Sequence, residues 1–427
     1  MKIIHKKTID FQNIITSVYV IIFCFCTTIG TCAAIPEITM RVLTFIIIAL
    51  ELGYITFNRR IQIYKVNGAW FVFFNIIFIS IFFKASIFSL ITLNLLAGLL
   101  FLLIPLYEFD CFAFSIKFLV FFALINAFGV FVQFIGSSLW APVYQFLTAR
   151  TQYSTSEMLQ YNIRYGGYGY LSGFCYNAGF TAIYLVNGII GVFFFQKSQK
   201  LKGVILLILF MALILTGKRG QLFALVGAMI IAYPMVSTTM SKKAKRVFII
   251  VGAMLSTYVI GLYIYINYSA GFSNSIKRVF SFVYAGEISS SGRDVLAGQS
   301  KLLFLKNPIT GVGWRNLTPL IGNEPHNSYL QILTETGVFG LLMVIIALTI
   351  SLYYSLKHFK ILNSYSDGDK KLRIVYYGIL CFEIYFFVLS FVENTFCNIE
   401  FYYMLFLILT IERVYYNSKK RLSVAEI

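Results

Sequence analysis

This chain of 427 residues is short of charge. Asp, Glu, Lys and Arg make up 12% of it, only 17 residues are acidic, and there are seven prolines, three tryptophans and three histidines. A soluble domain carries about 25% charged residues, so an ordinary water-facing surface is excluded. Signature motifs are lacking as well. No phosphate-cradling GxxxxGK motif, zinc-ligand spacing or Gly-x-Ser-x-Gly elbow occurs. The seven cysteines contain no CxxC pair. Cys24, Cys26, Cys175 and Cys381 sit in apolar runs and read as small hydrophobes, so no redox chemistry follows. What is abundant is apolar surface: 59% hydrophobic residues and 18% aromatics, with a mean hydropathy of +0.80. These are the proportions of a polytopic membrane protein.

A hydrocarbon core about 30 Å thick takes roughly 20 apolar residues per helix. On that basis the chain is expected to be an all-α polytopic integral membrane protein of about 12 spans, at 13–34, 40–57, 69–83, 86–106, 114–136, 173–195, 202–216, 220–236, 247–267, 328–354, 374–391 and 398–415. The organisation expected is 1–267 with the first nine helices and an outer loop at 137–172, then a large extracytoplasmic loop at 268–327, then 328–427 with three helices and a cytoplasmic tail. The basic start, Met1 to Lys7, precedes an apolar run too long for a cleavable signal, so it is read as the first helix. With both termini cytoplasmic, 23 of the 35 Lys and Arg fall inside and 12 outside, the asymmetry of the positive-inside rule. The formal net charge of +18 is then mostly topology, and nucleic acid is not implied.

The outward minority is more telling, because insertion works against it. His5 and His358 fall in cytoplasmic segments, which leaves His326 as the outward histidine, in Gly322-Asn323-Glu324-Pro325-His326-Asn327-Ser328-Tyr329. Asn327 or Ser328 is placed to cap the next helix, and the positive end of that helix favours a neutral imidazole able to take a proton from a hydroxyl. A histidine hydrogen-bonded at a loop corner is the plain alternative. Lys218 and Arg219 occupy a tight turn between two apolar helices. Arg293 and Arg315 lie in the large loop, and Arg150 and Arg164 in the other. Guanidinium groups bind phosphate oxygens in pairs, so several facing one cavity fit a lipid diphosphate; taken singly, each also fits a residue snorkelling to headgroups. Glu393, near the outer end of the eleventh span, is close enough to shape such a site. Glu51 and Glu383 fall within spans and are candidates for intramembrane roles.

Gly292-Arg293, Asn307-Pro308-Ile309-Thr310-Gly311-Val312-Gly313 and His326-Asn327-Ser328-Tyr329-Leu330-Gln331 through Glu335-Thr336-Gly337-Val338-Phe339-Gly340 resemble the O-antigen ligase/polymerase family of bacterial surface-polysaccharide assembly. The likeness covers roughly 293–340, with weaker support from Lys218-Arg219-Gly220, where Lys218 replaces the family's serine. It implies metal-independent glycosyl transfer, with no cofactor, from an undecaprenyl-diphosphate-linked glycan donor on the outer face of the bacterial cytoplasmic membrane. The implied catalytic base is His326. Arg219, Arg293, Arg164, Arg315, Lys218 and Asn327 are the candidate substrate-binding residues, Arg219 and Arg293 holding the diphosphate. The acceptor is a second glycan repeat in a polymerase and the lipid A core in a ligase; a flippase and a chain-length regulator are the partners expected beside the membrane lipids. A polymerase is preferred, since the chain is about the size of such enzymes, adds no soluble domain, and offers Tyr161, Tyr165 and Tyr168 as stacking faces in the 137–172 loop, although aromatics near a membrane interface more often form an anchoring belt.

Outside the enzymes the rival is a polysaccharide flippase or other transporter. It would be expected to show internal repeats, short loops and paired charges at mid-membrane, and no persuasive repeat is present. Asp367-Gly368-Asp369 spells the Asp-x-Asp of metal-dependent glycosyltransferases, but it lies in a polar linker and reads as a solvated turn.

Overall fold

The computed structural model describes residues 37–58, 65–84, 90–103, 109–135, 171–175, 177–195, 198–235, 293–364 and 370–397. Regular structure among them is helical, without a strand. The helices are α1 (Glu37–Asn58), α2 (Lys65–Lys84), α3 (Leu90–Leu103), α4 (Phe109–Ile135), α5 (Ala178–Phe195), α6 (Gln199–Leu215), α7 (Arg219–Met235), α8 (Arg293–Lys306), the short α9 (Leu317–Ile321), α10 (Ser328–Ser364) and α11 (Lys370–Leu389), followed by a 3-10 turn at Thr395–Cys397. Nine of the expected spans coincide with a described helix. Those at 13–34, 247–267 and 398–415 lie outside the described residues, as do nearly all of the 137–172 loop with Arg164, the first part of the large loop, and Asp367-Gly368-Asp369. Three stretches are long and apolar enough to cross a membrane, Ile38–Thr56, Phe114–Ile135 and Ser328–Lys360, and shorter apolar helices accompany them. The exposed faces carry Phe121, Phe128, Leu207, Phe223 and Ile345, as lipid-facing helices require.

Helices α4, α5 and α6 pack as one group and α1, α2 and α3 as another; α11 lies against α5 and α7, and α10 joins α11 to α2. Small residues set the closest approach. A Cβ on Gly188 of α5 would collide with the Ala123 side chain of α4, and one on Gly191 would crowd Val120. Such small-residue contacts let backbones approach where lipid leaves no hydrophobic drive between helices. Glu51 and Glu383 are both buried within the bundle. His358, expected in a cytoplasmic segment, is buried on α10, because that helix continues to Ser364, ten residues past the span read from the sequence.

One backbone feature positions the site. On a straight helix Tyr329 and Ser351 would stand about 33 Å apart, yet both reach the same aromatic pair: the Tyr329 ring is 6.2 Å from Phe396, Phe396 is 6.3 Å from Trp70, and Trp70 Nε1 donates to Ser351 Oγ at 2.9 Å. The break is at Gly337, whose φ of 73° and ψ of −168° are non-helical. The arm before Gly337 runs along α2 from the level of Trp70 towards Ser80, whose Oγ accepts from the Trp314 backbone N–H at 3.0 Å. The arm after it returns to the level of Trp70.

A break of this kind frees backbone groups that must find partners. The strap 307–313, which follows α8, supplies them. Val312 N–H donates to Thr334 O at 2.9 Å, Gly313 N–H to Glu335 O at 2.8 Å, and Val338 N–H to Pro308 O at 2.9 Å. Contact is too close for side chains. A Cβ on Gly337 would overlap the Ile309 carbonyl, and one on Gly311 would overlap the Glu335 backbone. The two glycine-bearing blocks singled out in the sequence are thus the two surfaces of one joint.

Candidate active site

The two non-glycine residues with left-handed φ among the described residues are Arg315, at 62°, and His326, at 52°. Left-handed backbone costs an L-residue about 1–2 kcal/mol and persists where its surroundings over-determine it. Around His326 those surroundings are hydrogen bonds. Asn327 caps the first arm of α10, its Oδ1 accepting from Leu330 N–H at 3.0 Å. Ser328 is cross-linked to the segment after α11: its N–H donates to Ser390 O at 2.9 Å, its hydroxyl donates to Glu393 O at 2.7 Å, and it accepts from Thr395 N–H at 2.7 Å.

This stitching sets His326 against Glu393. Nδ1 of the imidazole lies 3.6 Å from Glu393 Oε2, with the histidine side chain 35% exposed and the glutamate 19%. At that separation the contact is electrostatic rather than a hydrogen bond. Nδ1 itself is buried, so the exposed part of the ring is the side bearing Nε2. Glu393 Oε1 accepts from Gln221 Nε2 at 3.0 Å, which ties it to α7. Burial alone would raise the Glu393 carboxyl; the His326 imidazole, then Lys218 and Arg293, bring it below its ordinary value of 4.5.

The cations come from three elements. Lys218 ends the α6–α7 turn, Arg219 begins α7 and Arg293 begins α8. Arg293 is near enough to act on both Lys218 and Arg219, and Lys218 is near enough to Glu393 to be stabilised by it. Burial, with Arg293 adding to it, lowers the Lys218 amine below 10.5, and Glu393 opposes this. Lys218 Nζ stands 3.7 Å from where a Cβ on Gly179 would be, beside the start of α5. The positive end of that helix does nothing to offset the amine. Lys218 and Arg293 thus stand beside the Glu393 carboxylate, with Arg219 beside Arg293. Ammonium and guanidinium groups gathered in this way suit phosphate oxygens.

Arg315 is placed elsewhere. Its Nη1 is 2.6 Å from Glu324 Oε1, and Glu324 Oε2 accepts from Asn394 Nδ2 at 2.8 Å. The structure therefore gathers His326, Lys218 and Arg293 around Glu393, with Arg219 beside Arg293, bonds Arg315 to Glu324, and has the Asn327 side-chain oxygen capping α10. Gln221, Glu324 and Asn394 were not anticipated. Glu324 had a signal, being the acid within the His326 block; Gln221 and Asn394 gained significance only through their carboxylate partners.

Glu393→Gln is expected to lower stability by about 1–3 kcal/mol, between a surface and a fully buried pair. The check is the melting temperature in detergent. Because its folded pKa is depressed, the Glu393 contribution is present above the ordinary carboxylate value and is lost as pH falls through the depressed one. The variant should lose less stability across that acid window than the parent does.

Residues 204–345, from α6 through the first arm of α10 and into its second, match the family described as O-antigen ligase. The matched stretch contains Lys218, Arg219, Arg293, Arg315 and His326 and ends short of Glu393. No curated protein matches the chain.

Proposed function

With the O-antigen ligase match of residues 204–345 as premise, we propose that this membrane protein polymerises undecaprenyl-diphosphate-linked oligosaccharide repeat units into a surface polysaccharide on the outer face of the bacterial cytoplasmic membrane. The observation that carries the reading is the meeting of His326, through Glu393, with Lys218 and Arg293, and of Arg293 with Arg219. A diphosphate esterified at both ends carries two negative charges and gains a third as the sugar leaves, and ammonium and guanidinium groups pair with such oxygens. In the reaction an acceptor hydroxyl attacks the anomeric carbon of the donor sugar. His326 takes the hydroxyl proton as general base, Glu393 stabilises the imidazolium that forms, and the bond between the sugar and the phosphate oxygen breaks. Its electron pair goes to the diphosphate, whose developing charge Arg219, Arg293 and Lys218 offset. The products are a lengthened glycan and undecaprenyl diphosphate. Glu393 and Lys218, adjoining each other, connect the base to the leaving-group side.

Arg219→Ala and Arg293→Ala are each expected to weaken use of the lipid-diphosphate donor about 10- to 100-fold, the worth of a charged hydrogen bond. Lys360→Ala, at the far end of α10, is expected to leave it unchanged. Rates measured against donor concentration in reconstituted vesicles check this, and equal losses in all three would point to failed insertion instead.

A ligase acting on lipid A core would use the same base and cations. Surface glycans of cells lacking the protein separate the readings: single repeat units on the core indicate a lost polymerase, and long carrier-linked chains that never reach the core indicate a lost ligase. Repeats held on the cytoplasmic face would indicate a flippase.

A further inference from the structure

We propose that Arg315, Glu324 and Asn394 form a clamp that holds His326 opposite Glu393, and that Arg315 is a positioning residue rather than a ligand of the diphosphate. The proposal rests on the glycosyl-transfer reading above and assigns a further set of residues to it. Glu324 stands two residues before His326 and Ser328 two residues after. Both are tied to the same short stretch of chain: Glu324 to the Asn394 side chain at 2.8 Å and Ser328 to the Glu393 carbonyl at 2.7 Å. His326 is bracketed between these cross-links, which is why its left-handed backbone persists and why its Nδ1 meets the Glu393 carboxylate.

Arg315 anchors the first cross-link. The salt bridge at 2.6 Å uses one Glu324 oxygen and leaves the other for Asn394. The Asn394 amide has one sensible orientation there, since its oxygen turned towards a carboxylate would be repelled. The Arg315 backbone continues the strap that closes the Gly337 joint through Val312 and Gly313. The clamp thus transmits the position of the folded-back helix to the catalytic loop. The Arg315 charge faces the carboxylates of Glu324 and Glu335, whereas that of Arg293 acts on Glu393, Lys218 and Arg219.

The experiment uses the full chain in lipid nanodiscs with a lipid-linked repeat unit as donor, and undecaprenyl diphosphate alone as binding probe. Arg315→Ala, Glu324→Ala and Asn394→Ala are expected to lower kcat about 10- to 100-fold, the effect of displacing a reacting group by about 1 Å. Donor KM and probe affinity should stay within about twofold, on the same estimate that binding does not need the base in place. The double variant Arg315→Ala/Glu324→Ala should lose no more than the worse single one, and Arg315→Lys, which keeps the ion pair, should recover most of the rate. Glu324→Gln, nearly isosteric, tests the loss if Glu324→Ala does not fold. Weaker probe binding by Arg315→Ala would overturn the proposal and make Arg315 a diphosphate ligand, as would losses that multiply in the double variant. Wild-type kcat in the Asn394 and Glu324 variants while His326→Ala is inactive would remove the clamp and leave the reaction standing. An active His326→Ala would instead remove the glycosyl-transfer reading itself.

Discussion

Replacing His326 by alanine is expected to abolish glycan chain extension while the protein stays in the membrane at its normal level. A positioned general base contributes about 10²- to 10⁴-fold, so rates should fall to that extent in reconstituted vesicles, and surface glycans should shorten to single repeat units. The backbone at this position complicates a simple alanine test, because φ is 52°, a region in which histidine is enriched and alanine is not. His326→Asn separates the causes. Asparagine tolerates the left-handed region but cannot act as a base, so it should match alanine in lost activity and the parent in melting temperature. Long chains from either variant would exclude the base assignment.

The largest structural effect is expected from Gly337→Ala. Its backbone conformation is one that only glycine adopts readily, and a Cβ there would overlap the Ile309 carbonyl. Neither side of the joint has room to give, since the strap is bonded to Thr334, Glu335 and Val338 across the break. A loss of about 4 kcal/mol or more is expected, the range reached when strain and overlap coincide. A melting curve of the purified variant in detergent checks it, and a variant as stable as the parent would show that the fold-back does not depend on this residue. Because the first arm of α10 carries Asn327 and Ser328, the same substitution should also disperse the site, so activity should vanish even in whatever fraction folds. Gly311→Ala should act in the same direction from the other side of the joint.

Nine helices were legible because each is a long apolar run, and length with apolarity suffices for a membrane span whatever the neighbours are. The exception within them is instructive. Residues 328–354 read as one straight span, but hydropathy is blind to direction, and a single glycine turns the chain back. The site was legible in part for a related reason. An outward cation or histidine stands out against an apolar chain before its partners are known, which is how Lys218, Arg219, Arg293 and His326 could be gathered into one hypothesis. Arg315 stood out equally, and its bond to Glu324 is a contact that only the packed structure shows.

From the residues alone came the membrane-spanning class, the helical content, and a polar cluster concentrated in the stretch that matches the O-antigen ligase family. These follow from composition and local order, which fold together only neighbours along the chain. Tertiary structure decided which charges meet. Gln221 bonds Glu393 across 172 positions and Asn394 bonds Glu324 across 70, pairings that arise from the packing of α7 and α11 and from the reversal at Gly337. The physical reason is that a side-chain hydrogen bond depends on position to within a fraction of an ångström. Only the packed bundle brings such distant residues that close.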